Sequence, residues 1–132
     1  MSRTDADTTI QELKDYMVAF RNERGWDKHH TPKNTAMSIA IEAAELMELF
    51  QWDGYSDGDK QKMADELADI LSYVLSFADV TGIDIAGAYY AKMERVKRKY
   101  PTEIFNPASD DRDAHLRIKQ SYRQHGEPGT GA

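Results

Sequence analysis

The sequence has no cysteine, which excludes a disulfide framework and any thiolate metal site. Its four prolines, Pro32, Pro101, Pro107 and Pro128, all fall outside the periodic apolar stretches. No run approaches the ~18 to 20 consecutive apolar residues that a membrane span requires. The first 30 residues contain no apolar core of a secretion signal. We therefore expect a soluble, cytoplasmic protein with no membrane partner. Basic residues are the minority, 17 against 23 acidic, for a net charge of −6. Such a chain repels a phosphate backbone, so no nucleic acid polymer is expected as a partner. There is no strand-like alternation, no internal repeat and no linker dividing two domains.

What is present is a chain of 132 residues, 40% of them hydrophobic. That suits one domain with a thin core, and leaves room for protomers that share a core across an interface. The apolar periodicity is helical throughout, and the expected fold class is all-α. Ile10, Leu13, Met17 and Phe20 mark one face of a first helix, capped by Thr8 or Thr9 and ended by Gly25. Residues 26–34 read as a loop. Asn34 or Thr35 can cap a second helix that runs to about Phe50. A Gly- and Asp-rich turn at 52–58 leads to a third helix, from about Asp59 to Val80, stopped by Thr81-Gly82. Asp84 can cap a fourth, with the stripe Ile85, Tyr89, Met93, Val96 and Tyr100, ended by Pro101. This gives a frayed N-terminus at 1–7, a domain at 8–101, and a polar, flexible tail at 102–132 with room for a short helix near 110–124.

The second helix is apolar over most of its circumference, yet carries Glu42, Glu45 and Glu48 at successive i+3 spacing. In the third, Asp65, Glu66, Asp69, Ser72, Tyr73 and Ser76 fill one polar wedge on an otherwise apolar helix. Residues three apart on a helix are neighbours, so Glu42/Glu45 and Glu66/Asp69 are carboxylate pairs. Glu45 lies seven positions before Trp52, and Glu66 seven after Asp59. Glu42 and Asp69 lie ten from the same two points. If the helices pair as an antiparallel hairpin, the four carboxylates converge at one height. Four like charges among apolar side chains repel strongly and call for hard cations with oxygen ligands. Mg²⁺, which shares its coordination shell with substrate phosphates, is the natural choice. Phosphoryl chemistry is its natural use, since such cations bridge phosphate oxygens and spread the developing charge. A solvated acidic face is the alternative, but no lysine or arginine shares the face. A di-iron bundle wants Glu-x-x-His pairs, and no histidine follows any of these glutamates by three.

Glu42-Ala-Ala-Glu45 followed by Glu66-Leu-Ala-Asp69 resembles the split motif of the MazG-like all-α nucleotide pyrophosphohydrolases. His30-Thr-Pro-Lys-Asn34, Glu45-Leu-Met-Glu-Leu-Phe-Gln-Trp52 and Lys92 through Lys99-Tyr-Pro101 look like its dCTP pyrophosphatase branch. The similarity covers about residues 8–101. It implies a four-helix bundle completed by oligomerisation, as a homodimer or homotetramer. It implies cleavage of a nucleoside triphosphate, dCTP or a modified pyrimidine deoxynucleotide, between the α and β phosphates. It implies Mg²⁺, with Mn²⁺ able to stand in, on Glu42, Glu45, Glu66 and Asp69. Trp26, His30 and Trp52 match positions that hold the base, Tyr73 a pocket-side tyrosine and Lys92 a phosphate-contacting lysine. Two positions depart from the pattern. Ala44 stands where the family often has Gly, and Val96 where the branch commonly has Asn. Valine donates no hydrogen bond, so Arg95 or Lys99 would have to compensate.

Other residues carry two readings. Asn34 can cap the second helix or touch the ligand. Lys92 and Lys99, two turns apart in the basic cluster at 92–99, can belong to a solvated face or balance triphosphate charge that the metal leaves over. Glu48 is a candidate extra ligand or an exposed acid. Two rival functions stand beside the main one. They are a pyrophosphohydrolase for another nucleotide, such as phosphoribosyl-ATP, and a non-catalytic acidic helical module that binds a partner protein.

Overall fold

The computed structural model describes residues 3–52, 54, 57–109 and 111–127. The described residues are helical, with no strand among them: α1 (Ile10–Glu23), α2 (Pro32–Glu48), α3 (Lys60–Thr81), α4 (Ile85–Lys99) and α5 (Arg112–His125). Short 3₁₀ turns at Asp27–His29 and Asp57–Asp59 precede α2 and α3. The chain divides into two compact units, Met1–Ile85 and Ala86–Ala132.

In the first unit, α3 packs against both α2 and α1, and more extensively against α2. Helix α1 starts on a reciprocal cap: the Thr9 hydroxyl accepts from the Glu12 backbone N–H at 3.1 Å, and the Glu12 carboxylate accepts from that of Thr9 at 2.7 Å. Gly25, at φ 64°, follows its end. Helix α2 begins earlier than the expected cap at Asn34 or Thr35. Thr31 is the cap, accepting from the Asn34 N–H at 3.2 Å, and Pro32 takes the first helical position. There its fixed φ and missing N–H cost nothing. Thr35 is instead buried, its hydroxyl donating to the Thr31 carbonyl at 2.8 Å. Gly82 closes α3 in the left-handed region at φ 69°, a conformation cheap only for glycine. Among the described residues of this unit the buried set is small and partly polar: Leu75, Ala78, Thr35, Ser76 and Arg21. Large apolar side chains on α2 and α3, among them Met37, Ile41, Met47, Leu67 and Leu71, stay exposed on the single chain.

In the second unit, Tyr100 stacks on His115 at 5.0 Å and meets Phe105 edge-on at 5.4 Å. The Lys99 ammonium sits 4.3 Å from the centre of the Tyr122 ring. Asp111 caps α5, accepting from the Asp113 and Ala114 N–H groups. The segment after Pro101 thus contains a 14-residue helix held to α4 by aromatic contacts. At the other end of the chain, the Thr4 N–H donates to the Asp7 carboxylate at 2.7 Å, closing a turn over residues 4–7.

Candidate metal centre and adjoining cavity

Helices α2 and α3 bring three carboxylates together. Glu42, Glu45 and Glu66 each place an oxygen within 4.8 Å of the others. Glu42 and Glu66 are half-buried and Glu45 is exposed. One oxygen of Glu66 is buried and has no hydrogen-bond partner among the described residues. Such an acceptor is costly unless something positive meets it. Desolvation pushes the Glu42 carboxyl above its ordinary value. Its hydrogen bond with Glu45 and the charges of Glu45, Asp69 and Glu66 push it the same way. Desolvation also raises Glu66, and the charges of Glu45 and Asp69 and a hydrogen bond with Glu45 push it the same way. Asp69, one turn beyond Glu66, is not among the three that meet, but its charge acts on two of them. An all-carboxylate set with an orphaned oxygen fits a hard divalent cation. Glu48, the last residue of α2, lies outside the cluster.

Asp69 also lines a cavity of about 490 Å³. Helix α1 contributes Tyr16 and Phe20 to its wall, the loop before α2 contributes Trp26 and His30, and α3 contributes Tyr73. The wall is apolar and aromatic apart from Asp69, Ser72 and His30. Backbone hydrogen bonds fix the loop: the Trp26 N–H donates to the Arg21 carbonyl at 3.0 Å, and the His29 N–H to the Trp26 carbonyl at 2.9 Å. Trp26 meets Phe20 edge-on at 5.7 Å. His30 leans over Tyr73 with ring centres 5.9 Å apart.

Three residues expected near the base, Trp26, His30 and Tyr73, therefore share one cavity with Asp69. The other expected residues are not in the wall of this cavity. Trp52 is 87% exposed and is not in the cavity wall. Asn34 lies in the first turn of α2, its amide donating to the His29 carbonyl at 3.0 Å. Lys92 and Lys99 belong to the second unit, Lys92 exposed and Lys99 over the Tyr122 ring.

One cluster escaped the sequence reading. Arg21, 6% exposed, donates to Ser76 at 3.1 Å and pairs with Asp79 at 2.6 Å. Ser76, with no exposure at all, also lies 2.7 Å from His30 Nδ1. The signal was a polar stripe, Ser72, Ser76 and Asp79, at i, i+4 and i+7 on an otherwise apolar stretch of α3, with Arg21 four residues past Met17 on α1.

An all-α fold, with paired carboxylates on consecutive helices beside an aromatic cavity, defines a class of protein. Residues 37–109, more than half of the chain, match the MazG-like family, and the chain belongs to that family. It is similar to dCTP pyrophosphatase 1 of Homo sapiens, 29% identical over 109 residues, covering 76% of this chain and 64% of the human protein. The bovine protein of the same name, from Bos taurus, is 29% identical over 107 residues, covering 75% and 63%. The chain thus spans a little under two thirds of the length of these relatives. It is also similar to the crystal structure of a pyrophosphatase from Archaeoglobus fulgidus DSM 4304. That likeness has 42% identity and a TM-score of 0.64, and covers 76% of this chain and 98% of the archaeal one.

Proposed function

We propose that the protein hydrolyses a nucleoside triphosphate between the α and β phosphates, releasing a nucleoside monophosphate and pyrophosphate. A pyrimidine deoxynucleotide such as dCTP is the expected substrate. The observation that carries this reading is the buried, unpartnered Glu66 oxygen beside Glu42 and Glu45, next to an aromatic cavity bordered by Asp69. Glu42, Glu45, Glu66 and Asp69 would hold Mg²⁺. When bound, the cation neutralises phosphate charge and activates water.

The chain's own residues do the rest. The cavity volume lies within the range of small-molecule sites, and Trp26 and Tyr73 offer ring faces to a base. Asp69 lines the cavity one helical turn from Glu66, so a base held there would leave its phosphates near the acids that would hold the metal. Glu45, the exposed member, or a neighbouring acid orients the attacking water and takes its proton. The water oxygen bonds to the α phosphorus as the bridging oxygen departs with its electron pair on pyrophosphate. On the resemblance, Lys92 and Lys99 balance remaining phosphate charge, and Asn34 and Trp52 contribute to the nucleotide site.

The apolar side chains left exposed on α2 and α3 support a homodimer or homotetramer in which these faces are shared. Dimer or tetramer alike would protect them.

The test is pyrophosphate release from dCTP, dTTP, dATP and dGTP in MgCl₂. Glu45→Gln and Asp69→Asn should each lose about 100-fold or more in rate, the scale of a lost acid–base or metal-holding group. Full turnover in both variants would remove the assignment. Silence of the wild type across the panel, with Mg²⁺ still bound, would instead indicate a non-catalytic module.

A further inference from the structure

We propose that Arg21 and Ser76 are positioning residues that fix His30 as its neutral Nε2–H tautomer. In that form its ring presents a hydrogen-bond donor to an accepting edge of the base in the cavity. The proposal rests on the reading of that cavity as the base site, and deepens it.

The inference follows from counting hydrogens at Ser76. Its hydroxyl oxygen is fully buried and has two side-chain partners among the described residues, Arg21 Nη1 at 3.1 Å and His30 Nδ1 at 2.7 Å. A guanidinium only donates, so Ser76 accepts from Arg21. The serine hydrogen must then go elsewhere, because an unmade buried donor is expensive. Two other serine or threonine hydroxyls of α3, Ser72 and Thr81, donate back to the helix carbonyl four residues earlier. Ser76 shows no such bond. The acceptor left is His30 Nδ1.

A nitrogen that accepts carries no hydrogen, so in the neutral ring the proton sits on Nε2. Protonating the ring would put its second N–H on Nδ1 and strand the serine hydroxyl. It would also place a cation near the Arg21 guanidinium. Desolvation and that guanidinium already hold the His30 pKa below its ordinary value. Asp79 completes the device by pairing with Arg21 at 2.6 Å and so orienting the guanidinium toward Ser76. With Nδ1 tied to the buried serine, Nε2–H is the ring polar group without a partner among the described residues, on a residue that lines the cavity. It matches a carbonyl oxygen or unprotonated ring nitrogen, both of which cytosine offers.

The first test needs no variant. Protein labelled with ¹⁵N-histidine is examined at pH 7.5, with His30 assigned by the signal lost in His30→Asn. The expected spectrum has a bare, hydrogen-bonded Nδ1 and a protonated Nε2. A protonated Nδ1, or an imidazolium, would overturn the proposal whether or not the protein turns over nucleotide. The second test is Ser76→Ala, a small deletion that leaves the ring in place. It should give a mixture of tautomers and raise KM for dCTP about 3- to 10-fold, the worth of one hydrogen bond, with kcat nearly unchanged. A scaffold defect would instead lower kcat and the amount of folded protein. Unaltered KM together with altered tautomers would refute the donor role. Wild-type protein that releases no pyrophosphate would refute the enzymatic reading alone, since dCTP affinity in MgCl₂ can still be titrated on the His30 Nε2 signal. Tighter or equal binding by Ser76→Ala in that titration would again refute the donor role.

Discussion

Arg21 on α1 and Asp79 on α3 form an ion pair at 2.6 Å, and this pair clamps two walls of the aromatic cavity together. The arginine side chain is 7% exposed and the aspartate side chain 33%. Removing the aspartate would leave a buried guanidinium without its counter-charge, which costs far more than a surface pair is worth. Solvent screens the half-open aspartate, so the full cost of a buried pair does not apply. Asp79→Asn should lower unfolding stability by about 1 to 3 kcal/mol. Urea denaturation followed by circular dichroism reads this as a lower midpoint at unchanged slope. An unchanged midpoint would mean that the pair contributes nothing.

The carboxylate cluster has the opposite sign: without a cation it is a stability defect at the candidate metal centre. Glu42 and Glu66 sit above the ordinary carboxyl value of 4.5, so near that pH the native chain keeps protons that the unfolded chain has released. Their stabilising contribution is full below about 4.5 and is lost as pH rises through the raised native values. As pH rises through those raised values without metal, Glu42 and Glu66 gain charge beside their acidic neighbours and repel them. Glu66→Gln should therefore raise the thermal midpoint in EDTA. MgCl₂ should stabilise the wild type, by about 2.7 kcal/mol at a hundred times its Kd, and the variant much less. Identical melting of the two proteins with and without Mg²⁺ would contradict this.

Trp26 is expected to carry base affinity rather than chemistry. A stacked aromatic is worth ~1–3 kcal/mol per base. Trp26→Ala should accordingly raise KM for dCTP about 5- to 150-fold with a smaller effect on kcat. Steady-state kinetics on the variant separates the two. A fall in kcat at unchanged KM would move Trp26 out of the base site.

Met37 and Ile41 are four apart on α2, Leu67 and Leu71 four apart on α3, and all four are more than a third exposed. Paired one turn apart, they make an apolar face on each helix. Ile41→Glu should convert an oligomer to a monomer in sedimentation velocity. Wild-type sedimentation at the mass of one chain would refute the shared-core reading.

Much of this was legible in the sequence because it depends on local spacing. The i+3 glutamates and the glycine stops at Gly25 and Gly82 act within a few residues, as does the spacing of the glutamates from Trp52 and Asp59; the turn expected at 52–58 lies in part outside the described residues. They predicted the carboxylate meeting of α2 and α3, of which Glu42, Glu45 and Glu66 are the closest part. Helix α2 starts before the expected Asn34 or Thr35 because a capping threonine followed by proline, Thr31-Pro32, is itself a helix start. The Arg21, Ser76 and Asp79 cluster is legible in sequence only as a polar stripe on α3, not as a contact. Its partners are 55 and 58 positions apart, and only the packing of α1 on α3 turns a charged residue beside an apolar stripe into a buried clamp. Trp52 shows the reverse limit. An aromatic beside a helix end announces a binding role or a packing role equally well, and on this chain it stands in the open.

The most direct measurement is the identity of the products, read by ³¹P NMR after incubating the protein with dCTP and MgCl₂. The account predicts dCMP and pyrophosphate in equal amounts, with neither dCDP nor free phosphate, and no reaction in Glu66→Gln. Formation of dCDP and phosphate, or undiminished product from Glu66→Gln, would contradict it.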